Sequence, residues 1–343
     1  MAKTRRIFIS DIHLSSQKLY DDPKKPAWYD PDKHNPRLLG FLDNHVLKNK
    51  DKIKDLVLLG DVFNTWVCPV DSKPPTYNQI FAANKPVMNK FKQIIKAGIN
   101  IFYINGNHDF DLSPDAIQNA VKGLKAIKFY RTGRIHAEHG NQYDIYNKPD
   151  YITDPAYGRP IGYFISRLVT SINSGGLGLL DLPTYLDDVL EAALTSQNIF
   201  SSIIEGLAER AGLKDKDTIK MPDQKKVSIE SLKERYEKLG EIYSLSELIS
   251  DLYQRRYLNG PADRLCQKFD FKVVVFGHTH NAMIDKDFFL VEDRIYANTG
   301  SWCKNNAYCV EIDKSDSFKS TKVFLHKVDN KGKISDTQKK EVE

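Results

Sequence analysis

A chain of 343 residues is long for one compact core, and it suits one large domain carrying an insertion, or two domains. With 41% hydrophobic and 28% charged residues and no low-complexity tract, the composition is that of an ordinary globular protein and excludes fibrous and disordered classes. The formal net charge of +5 is modest and dispersed, which leaves room for an anionic substrate but lacks the clustered Lys and Arg of a nucleic-acid-binding face.

The apolar run Ile7-Phe8-Ile9 reads as a buried strand, followed by Asp55–Leu59 ending at Gly60, and Asn100–Ile104 ending at Asn105-Gly106. Between them, Leu38, Leu39, Leu42 and Val46 fit one helix face, and Val87, Phe91, Ile94 and Ile95 another. Strands rich in Val and Ile that alternate with helices predict an α/β sheet with a buried centre. From about Arg159 to Gly260 the periodicity is helical only. Apolar stripes run through Ile161–Ile172, through Ile199, Ile203, Ile204 and Leu207, and through Ile229, Leu232, Tyr236 and Leu239. A further helix is expected near Pro183, and another after the capping-box pattern Ser244-Leu245-Ser246-Glu247. The strand Lys272–Phe276, ending at Gly277, returns to the first pattern. Arg294–Asn298, Tyr308–Ile312 and Lys322–Leu325 then predict a closing antiparallel or mixed sheet. The expected organisation is an α/β domain over 1–158 and 263–328, an all-helical insertion over 159–262, and a polar, frayed tail over 329–343.

The cysteines Cys68, Cys266, Cys303 and Cys309 form no Cys-x-x-Cys pair, so neither a thiolate zinc site nor a disulfide framework is indicated. The N-terminus enters a strand directly, without the apolar stretch of a signal peptide, and no apolar run is long enough for a bilayer. A cytoplasmic protein with reduced thiols and no transmembrane segment is expected.

Five polar clusters follow strand candidates. They are Asp11-Ile12-His13, Gly60-Asp61, Gly106-Asn107-His108-Asp109, His139-Gly140 and Gly277-His278-Thr279-His280. In open α/β sheets, ligands bind in the crevice outside the carboxyl ends of the strands, where such clusters converge. Two Asp, one Asn and four His supply oxygen and imidazole donors and no thiolate, a set suited to Mn, Fe, Ni or Zn. The pairs Asp11/His13 and His278/His280 are spaced by two, which places both members on one face of an extended segment. Seven donors exceed one tetrahedral ion and suit two.

In this order the clusters resemble the calcineurin-like metallophosphoesterase family over about residues 1–150 and 270–310, and Tyr296–Trp302 is similar to the strand that follows the last motif in many members. The resemblance implies a four-layer αββα sandwich, here with the inserted helical subdomain as a cap or lid. It implies two divalent ions, Mn favoured, with Asp11, His13 and His280 on the first, Asn107, His139 and His278 on the second, and Asp61 bridging. It implies hydrolysis of a phosphate ester by a hydroxide held between the ions, with His108 assisting the leaving group. Where many members carry Gly-Asp-x-x-Asp, this chain has Gly60-Asp61-Val62-Phe63-Asn64, and Asn64 accepts a hydrogen bond without a carboxylate's charge. Asp109, the nearest carboxylate in sequence, is either a second catalytic residue beside His108 or a cap on its turn.

Gly60–Phe63 and His139–Asp144 are similar to the branch that includes UDP-2,3-diacylglucosamine pyrophosphohydrolases, in which a helical piece covers acyl chains. A phosphodiester or pyrophosphate, lipid-linked or nucleotide, is the substrate this implies, with a phosphomonoesterase, a nuclease or a non-catalytic scaffold as alternatives. His34, His45, His136 and His326 match no part of the pattern and are expected to be core or surface residues. Trp66 and Trp302 either line the pocket or fill core.

Overall fold

The computed structural model describes residues 3–24, 26–172, 198–223, 225–243, 247, 257–286, 293–314 and 320–343. The helices expected near Pro183 and after Ser244 lie outside them.

The strands of the first half are β1 (Arg5–Ile9), β2 (Ile53–Leu59), β3 (Asn100–Ile104), β4 (Lys125–Ala126), β5 (Tyr130–Thr132) and β6 (Ile135–Ala137). A hairpin, β7 (Thr218–Lys220) and β8 (Lys226–Ser228), precedes β9 (Val273–Phe276), β10 (Met283–Asp285) and β11 (Ile295–Asn298). The chain closes with β12 (Ala307–Asp313), β13 (Thr321–Val328) and β14 (Ile334–Val342). One sheet has the order β14-β13-β12-β1-β2-β3-β4 and the other β10-β11-β9-β6-β5. β1, β2, β3 and β4 run parallel, while β12 joins β1 antiparallel.

Three apolar layers hold the sheets. Phe8, Val57, Leu59, Val273, Val275 and Ile295 belong to the cluster shared by the two sheets. Ile7, Ile9, Leu56 and Leu58, the alternate residues of β1 and β2, pack with Leu38, Phe41, Phe91 and Ile94 of the helices Pro31–Phe41 and Lys85–Lys96. Val274, Phe276 and Tyr296 pack with Ala262 and Cys266 of the helix Asn259–Phe269. The layers are therefore helix, sheet, sheet, helix, the αββα order expected.

Two expectations change. The segment expected to be helical throughout also holds the β7–β8 hairpin, whose strands of three residues are too short to show a period in the sequence. The tail expected to fray instead forms β14, an edge strand paired with β13 from Thr321↔Val342 to Val328↔Ile334. Its side chains are mostly exposed, so backbone pairing and not an apolar face holds it.

The inserted helices Ile161–Ile172, Ile199–Arg210 and Ile229–Ile242 share one core with Phe164, Phe200, Ile204, Leu232 and Tyr236. Side chains Asn198 and Ser228 cap two of these helices by accepting backbone N–H groups. The core includes Trp66 and Val70 from the loop after β2. Arg167, fully buried, fixes that junction by donating to the carbonyls of Cys68 at 2.6 Å, Pro69 at 2.8 Å and Ser72 at 2.7 Å.

Candidate metal centre

The five clusters lie on the loops that leave β1, β2, β3, β6 and β9. Backbone bonds lace these loops together. Asp11 N–H donates to Gly60 O at 3.1 Å, His13 N–H to Asp61 O at 2.9 Å, Gly277 N–H to His139 O at 3.0 Å, and Trp302 N–H to Asp11 O at 2.9 Å. The turns are tight. Asp11, His13, Asp61, His278 and His280 all have left-handed backbone, with φ of 54°, 59°, 51°, 68° and 56°. Such φ values are uncommon outside glycine and concentrate where function demands them. Two glycines make the crowding possible, since a side chain at Gly60 would enter the His139 ring and one at Gly106 would enter the Asp61 carboxylate.

Six of the seven expected donors meet directly. Asp11 Oδ1 lies 3.0 Å from His280 Nε2 and 3.9 Å from His13 Nε2. The two imidazole nitrogens are 3.1 Å apart. Asp61 Oδ2 lies 3.3 Å from His139 Nε2 and 3.9 Å from His13 Nε2, and so stands between the two halves. Asn107 Oδ1 is 3.2 Å from His139 Nε2. Nδ1 of His139 sits 2.8 Å from the Leu59 carbonyl, which accepts only, so Nδ1 carries a proton and Nε2 is the atom turned to Asp61 and Asn107. His278 stands beside His139, ring centroids 5.3 Å apart, and its Nε2 is 2.9 Å from Asp144 Oδ2. That carboxylate favours a proton on Nε2 and leaves Nδ1 free of it.

The electrostatics are those of a cation site. Asp11, His13, Asp61 and His139 are at most 2% exposed. Burial pushes both carboxylates up, but the imidazoles outweigh it, His280 for Asp11 and His139 for Asp61, so each is held below its usual range. Burial pulls His139 down, yet Asp61 dominates and raises it to about 10. Burial and then His108 hold His13 well below the ordinary value. Asp11 Oδ1 is buried without a hydrogen bond among the described residues, although His280 Nε2 is 3.0 Å away. A carboxylate oxygen left thus, facing two imidazole nitrogens that face each other, fits a divalent ion better than it fits hydrogen bonding.

His108 Nδ1 lies 3.1 Å from Asn64 Oδ1. The same oxygen accepts the N–H groups of Trp66 and Val67, both at 3.0 Å, so the amide nitrogen is the end that meets His13 Nδ1 at 3.2 Å. Burial pulls His108 down to about 4 against the charge of Asp61. Trp66 covers its ring, centroids 4.5 Å apart, and so belongs both to the inserted core and to the site. Trp302 packs in the sheet–helix core instead.

Asp109 does not partner His108. Its carboxylate accepts the N–H groups of Gly106 at 2.7 Å, Val62 at 2.9 Å, Phe63 at 3.1 Å and Asp61 at 3.3 Å. It clamps two ligand loops, which corrects the catalytic reading in favour of the cap. Burial, then the charge of Asp61, pushes it up.

Sequence reasoning missed three neighbours. Trp28 packs against His13 and His108 with centroids 4.6 and 5.1 Å away. Asp144 holds His278. Cys303 lies with His13 and His280 within 4.8 Å. Only Asp144 carried a signal, as the end of the His139–Asp144 segment.

No described helix is long and apolar enough to cross a membrane. The chain is 31% identical over 107 residues to UDP-2,3-diacylglucosamine hydrolase of Aliivibrio fischeri (strain MJ11), a match spanning 31% of this chain and about a third, 34%, of the relative. Its shape is similar to a Vps29 double mutant from Entamoeba histolytica at 10% identity and TM-score 0.34, covering 98% of both chains. Vps29 of Chaetomium thermophilum is similar at 10% identity and TM-score 0.32, covering 99% of this chain and 96% of that one. At such scores these shapes add nothing to the sequence match. The model of one family, described as calcineurin-like phosphoesterase, matches residues 4–282, most of the chain and all five clusters. The chain belongs to the calcineurin-like phosphoesterase family.

Proposed function

We propose that this protein hydrolyses a phosphate ester, of the diester or pyrophosphate kind, at a centre for two divalent ions, manganese favoured. Asp11, His13 and His280 would hold one ion, Asn107, His139 and His278 the other, and Asp61 would serve both. The single observation that carries this is the buried convergence of Asp11 Oδ1, His13 Nε2 and His280 Nε2, with Asp11 Oδ1 3.0 Å from His280 Nε2 and the two imidazole nitrogens 3.1 Å apart. When bound, such ions polarise a phosphoryl oxygen and lower the pKa of a bound water from 15.7 towards roughly 7.

The protein's own residues supply orientation and a proton. Asn64 holds the Nδ1 side of His108, which leaves Nε2 for the substrate. His108 is neutral at physiological pH in the free protein, with its pKa near 4. A phosphate beside it favours, by opposite charge, uptake of a solvent proton on Nε2 to give the imidazolium. Nε2 then gives its proton to the departing oxygen, and the imidazole returns to the neutral form.

A cleft of about 700 Å³ opens beside His139, lined also by Gly106, Phe110, Phe129, Asn141 and Tyr151. The similarity to a UDP-2,3-diacylglucosamine hydrolase favours a nucleotide- or lipid-linked pyrophosphate. The helical core reaches His108 through Trp66, which supports reading it as a cap over the site.

The test is hydrolysis by protein loaded in turn with Mn, Fe, Ni and Zn, with metal content measured in the same sample. Bis-p-nitrophenyl phosphate should turn over faster than p-nitrophenyl phosphate at about two ions per chain. Monoester preference would overturn the diester reading. No turnover of either ester, or of a nucleotide-linked pyrophosphate, at full loading would overturn hydrolysis altogether.

A further inference from the structure

Away from this centre, two of the histidines expected to be inert come together on a buried glutamate. His45 lies in the π-helical turn Leu42–Val46, Glu311 in β12 and His326 in β13. His45 Nε2 is 2.8 Å from Glu311 Oε2, and His326 Nε2 is 3.6 Å from the same oxygen. The three ligand atoms lie within 4.8 Å of one another. Tetrahedral zinc with bonds of about 2.0–2.1 Å to nitrogen and oxygen sets its donors roughly 3.3 Å apart. The observed spacings bracket that value.

Hydrogen bonding explains only part of the cluster. His45 reaches Glu311 at bonding distance, but 3.6 Å is too long for His326. His326 is 8% exposed, and its Nε2 has no hydrogen bond among the described residues. The other side of that ring is satisfied. Thr337 Oγ1 of β14 lies 2.8 Å from Nδ1, in the place where ligand histidines carry their orienting partner. Phe324 stacks on the ring at 5.7 Å and 5°, and Phe41 stacks on His45 at 5.3 Å. Both imidazoles are thus held in orientation.

Glu311 is held as well. Arg5 Nη1 is 3.1 Å from Oε1, which turns Oε2 to the histidines, and Arg5 Nε also meets Asp313 at 3.6 Å, so its charge is shared. The glutamate and His326 are buried while His45 is partly exposed, which gives an ion a way in. π-turns of this kind occur frequently at functional sites.

We propose that His45, Glu311 and His326 form a separate binding site for one zinc-class divalent ion. Two imidazoles and a carboxylate leave a fourth position for water. The ion would tie the π-turn to β12 and β13 and, through Thr337, to the edge strand β14. The site is independent of the hydrolytic reading, since it shares no residue with the first centre.

The test uses the full chain, stripped by chelator, reloaded with zinc, and analysed for metal per chain. Relative to wild type, His45→Gln and His326→Gln should each lose one zinc and much of the zinc-dependent rise in Tm. Both should keep their rate on bis-p-nitrophenyl phosphate. Conversely, His139→Ala should retain a zinc that the double variant H139A/H326Q lacks. Equal zinc in wild type and both single variants would overturn the site. Should the variants misfold by circular dichroism, zinc-soaked crystals of wild type decide it by anomalous scattering. A peak between the three side chains is expected, and none at millimolar zinc overturns the proposal.

Discussion

The loop cluster at the sheet edges and the core of the inserted subdomain are both buried, and they are built on opposite terms. In the cluster, Asp11, His13, Asp61 and His139 are closed off from water, the first three on left-handed backbone, beside glycines that admit no side chain. In the insertion, Phe164, Ile203, Ile204, Leu232 and Tyr236 are equally closed off, and they lie on regular helices. The cluster demands one atom at one place, whereas the helices demand apolar volume at a period of 3.6 residues. The two meet at Trp66, which packs in one and covers His108 in the other. The comparison teaches where each kind of substitution should be felt: chemistry at the loops, stability in the helices.

The largest effect should come from Asp61, the residue between the two halves of the centre. Asp61→Ala should lose both bound metal and activity, by elemental analysis and bis-p-nitrophenyl phosphate hydrolysis, and chelation of the wild type should lose activity while Mn restores it. Full metal content with residual turnover would remove Asp61 from its shared role. His108→Ala should keep its metal and slow turnover by roughly 10²–10⁴-fold. Turnover at the wild-type rate would mean that His108 moves no proton.

Substitution in the helices should give the converse. Leu232, fully buried in the inserted core, should cost about 2–5 kcal/mol on truncation to Ala. Denaturant unfolding would measure it, with kcat per folded molecule little changed. A large fall in kcat with unaltered stability would break the division between the regions. Asn64 tests the border, because one side chain touches both His13 and His108. Partners of this kind typically cost 10–100-fold when removed, and Asn64→Leu should fall in that range in metal affinity or rate. An unaffected N64L variant would show that Trp66 and Trp28 alone hold the His108 ring.

The same contrast explains what could be read from the sequence. The convergence of Asp11, His13, Asp61, Asn107, His278 and His280 was legible because the strands β1, β2, β3 and β9 before them are apolar runs. His139 follows the short β6, Ile135-His136-Ala137, which has no such run, and Asp11, His13, His278 and His280 sit on left-handed turns and not on the extended segment that the spacing of two suggested. The αββα layers followed from the family resemblance, and the helical stripes at 161–172, 199–207 and 229–239 from their period. What was lost lacked a local pattern. β14 reads as a polar tail because Ile334–Val342 holds on by backbone bonds to β13 and shows no apolar face. Asp109 sits beside His108 in sequence, but the loop N–H groups of Gly106, Val62 and Phe63 claim its carboxylate. His45 and Glu311 are 266 positions apart, and only the folded sheet brings them together.

The smallest predicted effect concerns a histidine outside both regions. His34 Nδ1 accepts the Asp30 N–H at 2.8 Å, and its ring is buried in the first turn of the helix Pro31–Phe41. Burial, then the nearby Arg37 and Lys33, lowers it to about 4. The folded state therefore binds fewer protons than the unfolded state, whose histidine titrates near 6.5. Its contribution is fully present above pH 6.5 and is lost as the pH falls towards 4. Metal loading should suppress the titration of the ligand histidines, because bound ions compete with protons for their nitrogens. In metal-loaded protein, then, Tm should fall between pH 6.5 and 4, and His34→Gln should flatten that fall. Equal slopes in the two proteins would show that acid sensitivity arises at the metal centre, which would move pH dependence of stability back into the region built for chemistry.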